Sequence, residues 1–189
     1  PIASSAASDV YKRQVGNNQN VNLTEKKYLS IIDAKTAELF RISCFLPTII
    51  TNQDKKTQKI FNDFGFNFGM AFQLSDDVLD YFGDSSKMGK SVGKDFFEGK
   101  VTYPVIHCFK KSDKKSKKII AKLFFKRKRS KKDLALILDL MKKTNTYKSS
   151  IEFVRKYAEK AKTNINKFEG NKYKVYLGEL VDHLIIRDK

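Results

Sequence analysis

The sequence predicts an all-α protein, and three observations carry that prediction. Among 189 residues only 9 are glycine and 3 are proline, too few for the many tight turns of an all-β protein. Apolar residues recur at three- and four-residue spacings along most of the chain, which is the period of amphipathic helices. No segment shows the strict alternation of a half-buried strand. Because 41% of the residues are hydrophobic, the chain can form a sizeable core.

The first predicted helix runs from about Thr24 to Leu46. It is expected to end at Pro47, because proline lacks an amide hydrogen and its ring clashes with the preceding turn. Apolar residues leave this helix little polar surface, so we expect it to be buried: Tyr28, Leu29, Ile32, Leu39, Phe40, Ile42 and Phe45.

The second predicted helix runs from about Asp54 to Phe82 and ends at Gly83. Gly65 and Gly69 lie inside it, where each glycine costs about 1 kcal/mol relative to alanine. Their presence predicts that another helix approaches closely at this point. The packing face of the helix consists of aromatic and aliphatic residues at helical spacing: Phe61, Phe64, Phe68, Phe72, Leu79 and Phe82.

One long irregular stretch, from Gly83 to Tyr103, separates this helix from the next, whose first turn suits Pro104. Amphipathic helices are predicted for the remainder. Ser130 and Asp133 have the spacing of a capping box. A three–four repeat marks the next helix: Ile151, Val154, Ala158, Ala161, Ile165 and Phe168. The last helix carries Tyr173, Leu177, Leu180, Val181 and Leu184.

We expect one domain at residues 15–189, preceded by an extraneous or disordered tail at residues 1–14. The tail has no periodicity and lacks the basic start and apolar run of a signal peptide. No run of 18 apolar residues predicts a transmembrane helix. Cys44 and Cys108 form neither a disulfide framework nor a CxxC metal pair. We therefore expect reduced thiols in a cytoplasmic protein.

The net charge of +17 indicates anionic partners such as nucleic acid, a membrane surface or phosphate. Residues 110–132 contain 13 lysines and arginines and a single acid, Asp113. The simplest interpretation is a solvated, lysine-rich surface. A basic nucleic-acid-binding protein is an alternative. However, only Phe124 and Phe125 interleave with the cations and no known binding motif matches, so we expect no nucleic-acid partner.

Asp76, Asp77 and Asp80 form a DDxxD cluster near the end of the second helix. Asp76 and Asp80 lie one turn apart on one face, where like charges destabilise a helix by a few tenths of a kcal/mol. Mg²⁺ typically takes one or two protein carboxylates and completes its shell with water and substrate phosphate. A solvated acidic helix end is the alternative. Cations in the following loop suit the same phosphate oxygens: Lys90, Lys94 and Lys100.

The segment from Phe72 to Pro104 resembles the second aspartate-rich region of the trans-polyprenyl diphosphate synthases. That family's pattern, FQxxDDxxD followed by GKxxGxDxxxGKxTxP, is matched at every fixed position: Phe72, Gln73, Asp76, Asp77, Asp80, Gly89, Lys90, Gly93, Asp95, Gly99, Lys100, Thr102 and Pro104. The family's Lys-Thr pair is matched by Lys35 and Thr36. The resemblance covers roughly residues 23–106. It is strongest to long-chain, octaprenyl-type synthases that make quinone side chains such as that of ubiquinone.

This resemblance implies the isoprenoid synthase helical bundle, with Mg²⁺ as cofactor. It implies condensation of an allylic diphosphate with isopentenyl diphosphate by a homodimeric prenyltransferase. The catalytic residues carried over by position are Asp76, Asp77, Asp80, Lys35 and Lys90. Asp76 binds magnesium directly, Asp77 and Asp80 support it, and Asp76 with Asp80 forms the metal-site pair. The allylic diphosphate is assigned to Lys35, Thr36, Gln73 and Lys90, while Lys100 is only a loop anchor.

The chain departs from the family pattern in one respect. The family's first aspartate-rich motif and its isopentenyl diphosphate site have no counterpart here, and only Asp9 precedes Val15. We therefore expect the C-terminal portion of a synthase domain, inactive on its own. A non-catalytic partner subunit of a prenyl synthase is the alternative. The basic run, with Lys126–Arg129 at its centre, is a candidate for peripheral contact with an anionic membrane.

Overall fold

A computed structural model describes residues 20–83, 92–169 and 172–186. Every regular element in these ranges is a helix, which confirms the predicted fold class. A π-helical turn (Asp33–Ala37) joins the first two α-helices. The α-helices are α1 (Glu25–Ile32), α2 (Glu38–Ile50), α3 (Lys55–Phe82), α4 (Lys94–Glu98), α5 (Tyr103–Lys111), α6 (Lys114–Phe125), α7 (Lys131–Lys143), α8 (Thr146–Asn166) and α9 (Lys172–Ile186).

The chain folds as two compact units, each built from two separate stretches. Among the described residues, unit 1 combines residues 20–31 with residues 76–83 and 92–150, and unit 2 combines residues 32–75 with residues 151–169 and 172–186. The division falls inside α3, so the residues before Asp76 on that helix belong to unit 2 and those from Asp76 onward to unit 1.

Unit 2 has a continuous apolar core. Its members come from α3, α8 and α9: Phe64, Ala71, Ala158, Ala161, Ile165, Val181 and Leu184. The partly buried phenylalanines Phe61, Phe68 and Phe72 pack against this core. The predicted phenylalanine face of α3 and the three–four repeat of α8 are thereby confirmed.

The two interior glycines of α3 permit a close crossing with the start of α2. A Cβ added at Gly65 would lie 2.6 Å from the carbonyl oxygen of Phe40. One added at Gly69 would lie 2.6 Å from the Cα of Ala37. Both distances are far below van der Waals contact, so only glycine allows this approach, as predicted. The Phe40 ring then packs on the ring of Phe68 at a centroid distance of 5.2 Å.

The first predicted helix differs from the structure in three ways. It is divided by the π-helical turn, it continues through Pro47 to Ile50, and much of α2 is exposed. Pro47 removes only one hydrogen-bond donor, and the helix closes normally beyond it, with the amide of Thr51 donating to the Pro47 carbonyl at 3.0 Å. The expected burial was wrong for Leu39, which is 68% exposed, and for Ile42, which is 46% exposed.

Unit 1 contains the helix starts that the sequence predicted. Ser130 and Asp133 form the capping box of α7, each side chain bonding the other's backbone amide. Pro104 lies in the first turn of α5. The stretch predicted as irregular contains the short helix α4, bounded by Gly93 and Gly99 with φ of 87° and 75°. The thiols of Cys44 and Cys108 are free.

No helix within the described ranges is long and apolar enough to cross a membrane.

Candidate active site

The last two turns of α3 carry the three aspartates, and the helix gives each a different environment. Asp76 is exposed and Asp80 is partly buried, and the one-turn spacing places both on one face. Asp77 is only 5% exposed. The motif therefore presents Asp76 and Asp80 as available carboxylates and keeps Asp77 inside unit 1.

Asp77 accepts a hydrogen bond from a residue that is distant in sequence. The hydroxyl of Tyr28 on α1 donates to Asp77 Oδ2 at 2.5 Å, across 49 positions of sequence. Tyr28 is 3% exposed. Burial, and then the negative charge of Asp77, raise the pKa of Tyr28 well above its usual value, so the phenol keeps its proton and donates. A buried carboxylate needs such a donor, because an unpaired one is costly.

Sequence reasoning missed this role of Tyr28. In the sequence it is one of many aromatic residues on an apolar helix. Its hydroxyl was the only signal, since a buried phenol needs a hydrogen-bond partner.

Asp80 accepts hydrogen bonds from backbone amides at the start of α4. Its Oδ2 accepts from the amide of Asp95 at 2.9 Å, and its carbonyl oxygen accepts from the amide of Gly93 at 2.6 Å. Burial, followed by the negative charge of Asp95, raises the pKa of Asp80 to about 6, although the amides of Asp95 and Lys94 oppose the shift. Asp80 thus ties the start of α4 to α3, in addition to any role toward a cation.

The second half of the motif forms an ion-pair network around α4. Lys100 Nζ lies 3.2 Å from Asp95 Oδ1 and 2.6 Å from Glu98 Oε2. These contacts agree with the expected role of Lys100 as a loop anchor.

Arg129 links α4 to the C-terminal end of α6. Its guanidinium donates to the carbonyl oxygens of Leu123 (3.1 Å), Phe97 (3.2 Å) and Phe124. Gly99 adopts a φ of 75°, which favours glycine, and a Cβ there would lie 2.7 Å from Arg129 Nη2, so a larger residue would also displace the guanidinium. Arg129 is therefore a structural residue within unit 1 and not a free surface cation.

The Lys-Thr pair lies in unit 2, within the π-helical turn. The hydroxyl of Thr36 donates to Gln73 Oε1 at 2.7 Å, and Gln73 is 7% exposed. Lys35 is exposed. Single π-helical turns inside α-helices are rare and frequently occur at functional sites, because the extra residue re-aims neighbouring side chains. No local sequence signal predicted this turn.

The predicted site residues thus fall into three sets. Asp76, Asp77 and Asp80 come together in unit 1. Thr36 and Gln73 come together in unit 2, where Lys35 is exposed beside Thr36. Lys90 and Gly89 lie outside the described residues.

The carboxylates of Asp76 and Asp80 offer oxygen donors that suit a hard divalent cation. Within the described ranges no group of three or more acidic, histidine or cysteine residues could enclose a metal. Asp76 and Asp80 instead supply hard oxygen donors, one exposed and one partly buried. Mg²⁺ commonly uses one or two such carboxylates and takes the rest of its octahedral shell from water and phosphate. The donor set therefore suits a divalent cation that completes its shell with ligands from outside these two carboxylates.

An all-helical chain with a DDxxD cluster at the end of a long helix, beside a glycine-bounded helical turn, defines the class of isoprenoid synthases. The chain belongs to the polyprenyl synthetase family, whose model matches residues 4–141. Over 154 residues it is 32% identical to heptaprenyl diphosphate synthase component 2 of Bacillus subtilis, covering 81% of this chain and 43% of that protein. Over 110 residues it is 37% identical to octaprenyl diphosphate synthase of Escherichia coli, covering 57% and 34%.

The fold comparison agrees. The polyprenyl synthase of Caulobacter crescentus, solved with calcium and isoprenyl diphosphate, matches with a TM-score of 0.89 and 30% identity. That match covers 99% of this chain and 57% of the Caulobacter chain. The chain thus spans less than half the length of the two curated relatives and a little over half of the solved structure.

Proposed function

We propose that the chain is the second-motif portion of an all-trans polyprenyl diphosphate synthase, a prenyltransferase that condenses an allylic diphosphate with isopentenyl diphosphate. The arrangement of the DDxxD cluster carries this proposal. Asp76 is exposed, Asp77 is anchored by Tyr28, and Asp80 holds the following loop helix. A merely solvated acidic helix end would have no need of a buried tyrosine donor under one of its carboxylates.

Each side chain then has a defined task. Asp76 and Asp80 hold Mg²⁺, which when bound stabilises negative charge on the diphosphate oxygens. Lys35, Thr36 and Gln73, together with Lys90, bind the allylic diphosphate. Thr36 and Gln73 position each other through their hydrogen bond, so that Lys35 is presented from a fixed turn.

The chemistry is an ionisation followed by an alkylation. The allylic C1–O bond breaks and both electrons leave with pyrophosphate. The double bond of isopentenyl diphosphate then forms a new carbon–carbon bond to C1, and one proton is lost to the pyrophosphate. Because the barrier is charge separation, preorganised cations around the leaving group supply the main stabilisation.

The proposal extends to the setting of the enzyme. The motif resemblance and the heptaprenyl and octaprenyl relatives support a long-chain product of the kind used for quinone side chains such as that of ubiquinone. The family also favours a cytoplasmic homodimer. Peripheral contact with an anionic membrane suits a long apolar product and the strongly basic chain.

Binding to the chain itself is the first test. Isothermal titration should detect binding of inorganic pyrophosphate that depends on Mg²⁺. Asp76→Asn should weaken it at least tenfold by removing a metal ligand. Asp139→Asn is the matched control, since Asp139 on α7 is 51% exposed and pairs with Lys143. Equal pyrophosphate binding by both variants, or binding that ignores Mg²⁺, contradicts the proposed metal site.

Activity is tested on the longest open reading frame that contains the codon for Val15. If that frame encodes a second DDxxD-type cluster upstream, the full product should incorporate isopentenyl diphosphate. Asp76→Asn should then lower kcat about a hundredfold or more. If a start codon lies there and no second motif exists, an active synthase is ruled out and the chain is a non-catalytic partner subunit.

A further inference from the structure

The exposed side of α6 carries a basic stripe that ends in an exposed phenylalanine. Lys114, Lys118, Lys122 and Phe125 follow one another at four-, four- and three-residue spacings, so they share one face of the helix. We call these four residues the α6 face. The opposite side of α6 is buried through Ile120, Leu123 and Phe124. Phe125 is 82% exposed, more than any other large hydrophobic residue in the described ranges.

The charge of α6 is entirely positive. Its twelve residues contain five lysines, and Asp113 at the N-cap is the only nearby acid in sequence. Asp113 is occupied, because its Oδ1 accepts from the amide of Ser116 at 2.6 Å. A shallow surface depression of about 400 Å³ lies beside Phe125 and is lined by Ala121, Lys122, Phe125 and Lys126.

The cluster that the sequence favoured for membrane contact, Lys126–Arg129, is partly engaged elsewhere. Lys126 Nζ lies 2.5 Å from Asp133 Oδ1 and, with the Ser130 amide, lowers the pKa of Asp133 to about 2. Arg129 is bound to three carbonyl oxygens and lies over the rings of Phe96 and Phe124. Arg127 and Lys128 are exposed. The α6 face, in contrast, combines three exposed lysines with an exposed phenylalanine.

We infer that the α6 face docks on an anionic lipid bilayer, with Phe125 entering the headgroup region and the three lysines contacting acidic lipids. Charge complementarity selects this occupant. The negative surface potential of an anionic leaflet attracts lysines, and their alkyl stems extend the apolar patch around Phe125. An interfacial helix combines the same two features, a basic polar face and an aromatic residue at the boundary. A duplex nucleic acid would use the lysines but leave Phe125 in water.

The inference deepens the membrane contact proposed above, and its test is independent of catalysis. The purified chain is mixed with vesicles of phosphatidylcholine alone or with 40 mol% phosphatidylglycerol, and binding is measured by flotation at 0.1 M NaCl. We expect partitioning onto the anionic vesicles only. The double variant Lys118→Gln/Lys122→Gln should bind about twenty-five-fold more weakly, at about fivefold per lysine. Phe125→Ser should lose about tenfold.

Two control variants separate binding through the α6 face from binding that depends only on net charge or on any exposed apolar side chain. Lys142→Gln/Lys148→Gln makes the same change in charge at exposed positions of α7 and α8. Leu180→Ser removes a 51% exposed apolar side chain from α9. Both controls should bind the vesicles as the unmodified chain does. Equal losses in test and control variants, or no binding to anionic vesicles, overturn the inference.

Two further measurements complete the test. Binding of a labelled DNA duplex, run in parallel, should be weaker than binding to anionic vesicles and insensitive to Phe125→Ser; the reverse result assigns the face to nucleic acid and overturns the inference. Titration of pyrophosphate with Mg²⁺ should be unchanged in all four variants. If the chain fails to bind anionic vesicles but binds pyrophosphate, the docking inference is wrong and the proposed function stands. If it binds the vesicles but not pyrophosphate, the proposed metal site is wrong and the docking inference stands.

Discussion

At the scale of single residues, the hydrogen bond from Tyr28 to Asp77 is the contact from which we expect the clearest contribution to stability. It is buried, it has a charged acceptor, and it joins α1 to the motif helix. Tyr28→Phe removes the donor and keeps the ring, so the free energy of unfolding should fall by about 2 kcal/mol. Urea unfolding measures it. Tyr176→Phe, at a 52% exposed position of α9, should leave the free energy unchanged.

A double-mutant cycle separates the bond from general packing. Asp77→Asn added to Tyr28→Phe should cost much less than Asp77→Asn in the unmodified chain, because the interaction is already lost. Strict additivity of the two single changes would show that the bond contributes nothing to stability.

Asp80 makes a prediction about pH. Its pKa is raised to about 6 in the folded chain, against about 4 for an unfolded aspartate. The folded state therefore holds this proton more tightly, so the contribution of Asp80 to stability is greatest below pH 4. It is lost as the pH rises through about 6. In the presence of EDTA, Asp80→Asn should become more stable than the unmodified chain by about 1–2 kcal/mol at pH 7, since solvent screens a partly exposed carboxyl.

Unfolding free energies at pH 4, 5, 6 and 7 measure this effect. The gap between Asp80→Asn and the unmodified chain should open between pH 4 and pH 7. A gap of constant size at all four pH values is incompatible with a raised pKa at Asp80. The stabilised variant should also lose Mg²⁺-dependent pyrophosphate binding, which is the usual trade between stability and a functional carboxylate.

At the scale of elements, α2 presents an apolar stripe to solvent. Five of its residues are at least 40% exposed: Leu39, Ile42, Leu46, Ile49 and Ile50. Such a contiguous apolar face favours association in water. We expect the chain to self-associate at micromolar concentrations, and Leu46→Glu to shift it toward monomer by placing a charge within the stripe. Sedimentation equilibrium measures the average mass.

Leu180→Glu is the matched control, because Leu180 has the same exposure as Leu46 within about 1% but lies on α9. If both variants lower the mass equally, or if the unmodified chain is monomeric throughout, the stripe does not drive association.

Helix boundaries show how far local sequence determines an element. The predicted span Asp54–Phe82 agrees with α3, because both end signals are local: Asp54 Oδ1 accepts from the Thr57 amide at 2.7 Å, and Gly83 follows the last residue. The π-helical turn at Asp33–Ala37 had no such signal. Pro47 was over-weighted as a stop, since one missing donor near a helix end is a small loss when the last turn is closed by other bonds.

The candidate site divides in the same way. The DDxxD spacing, the following glycines and the Lys-Thr pair could be predicted, because they are patterns of residue type. Tyr28 under Asp77, Arg129 against Gly99 and the exposure of α2 could not be predicted, because each depends on contacts between residues distant in sequence. Periodicity identifies the apolar face of a helix but does not identify its partner. For α2 the apolar face was correct and the expected burial was wrong.

At the scale of the whole molecule, the dominant feature is a net charge of +17 on 189 residues. The close ion pairs in the described ranges are mostly exposed or half-exposed: Arg41–Glu38, Lys59–Asp63, Lys100–Glu98, Lys126–Asp133, Lys143–Asp139 and Lys162–Asp182. Exposed pairs of this kind contribute little, so self-repulsion of the excess cations outweighs them.

Screening this repulsion should stabilise the fold. Raising NaCl from 50 mM to 500 mM shortens the Debye length from about 14 Å to about 4 Å, so Tm should rise by several degrees. Most proteins with balanced charge show little change. The double variant Lys118→Gln/Lys122→Gln removes two of the excess charges and should start at a higher Tm and gain less from salt. A Tm that falls with NaCl would mean that attractive ion pairs dominate. The basic surface would then stabilise the fold. The proposed docking role instead implies that repulsion among its cations destabilises the fold and that an anionic partner reduces this repulsion.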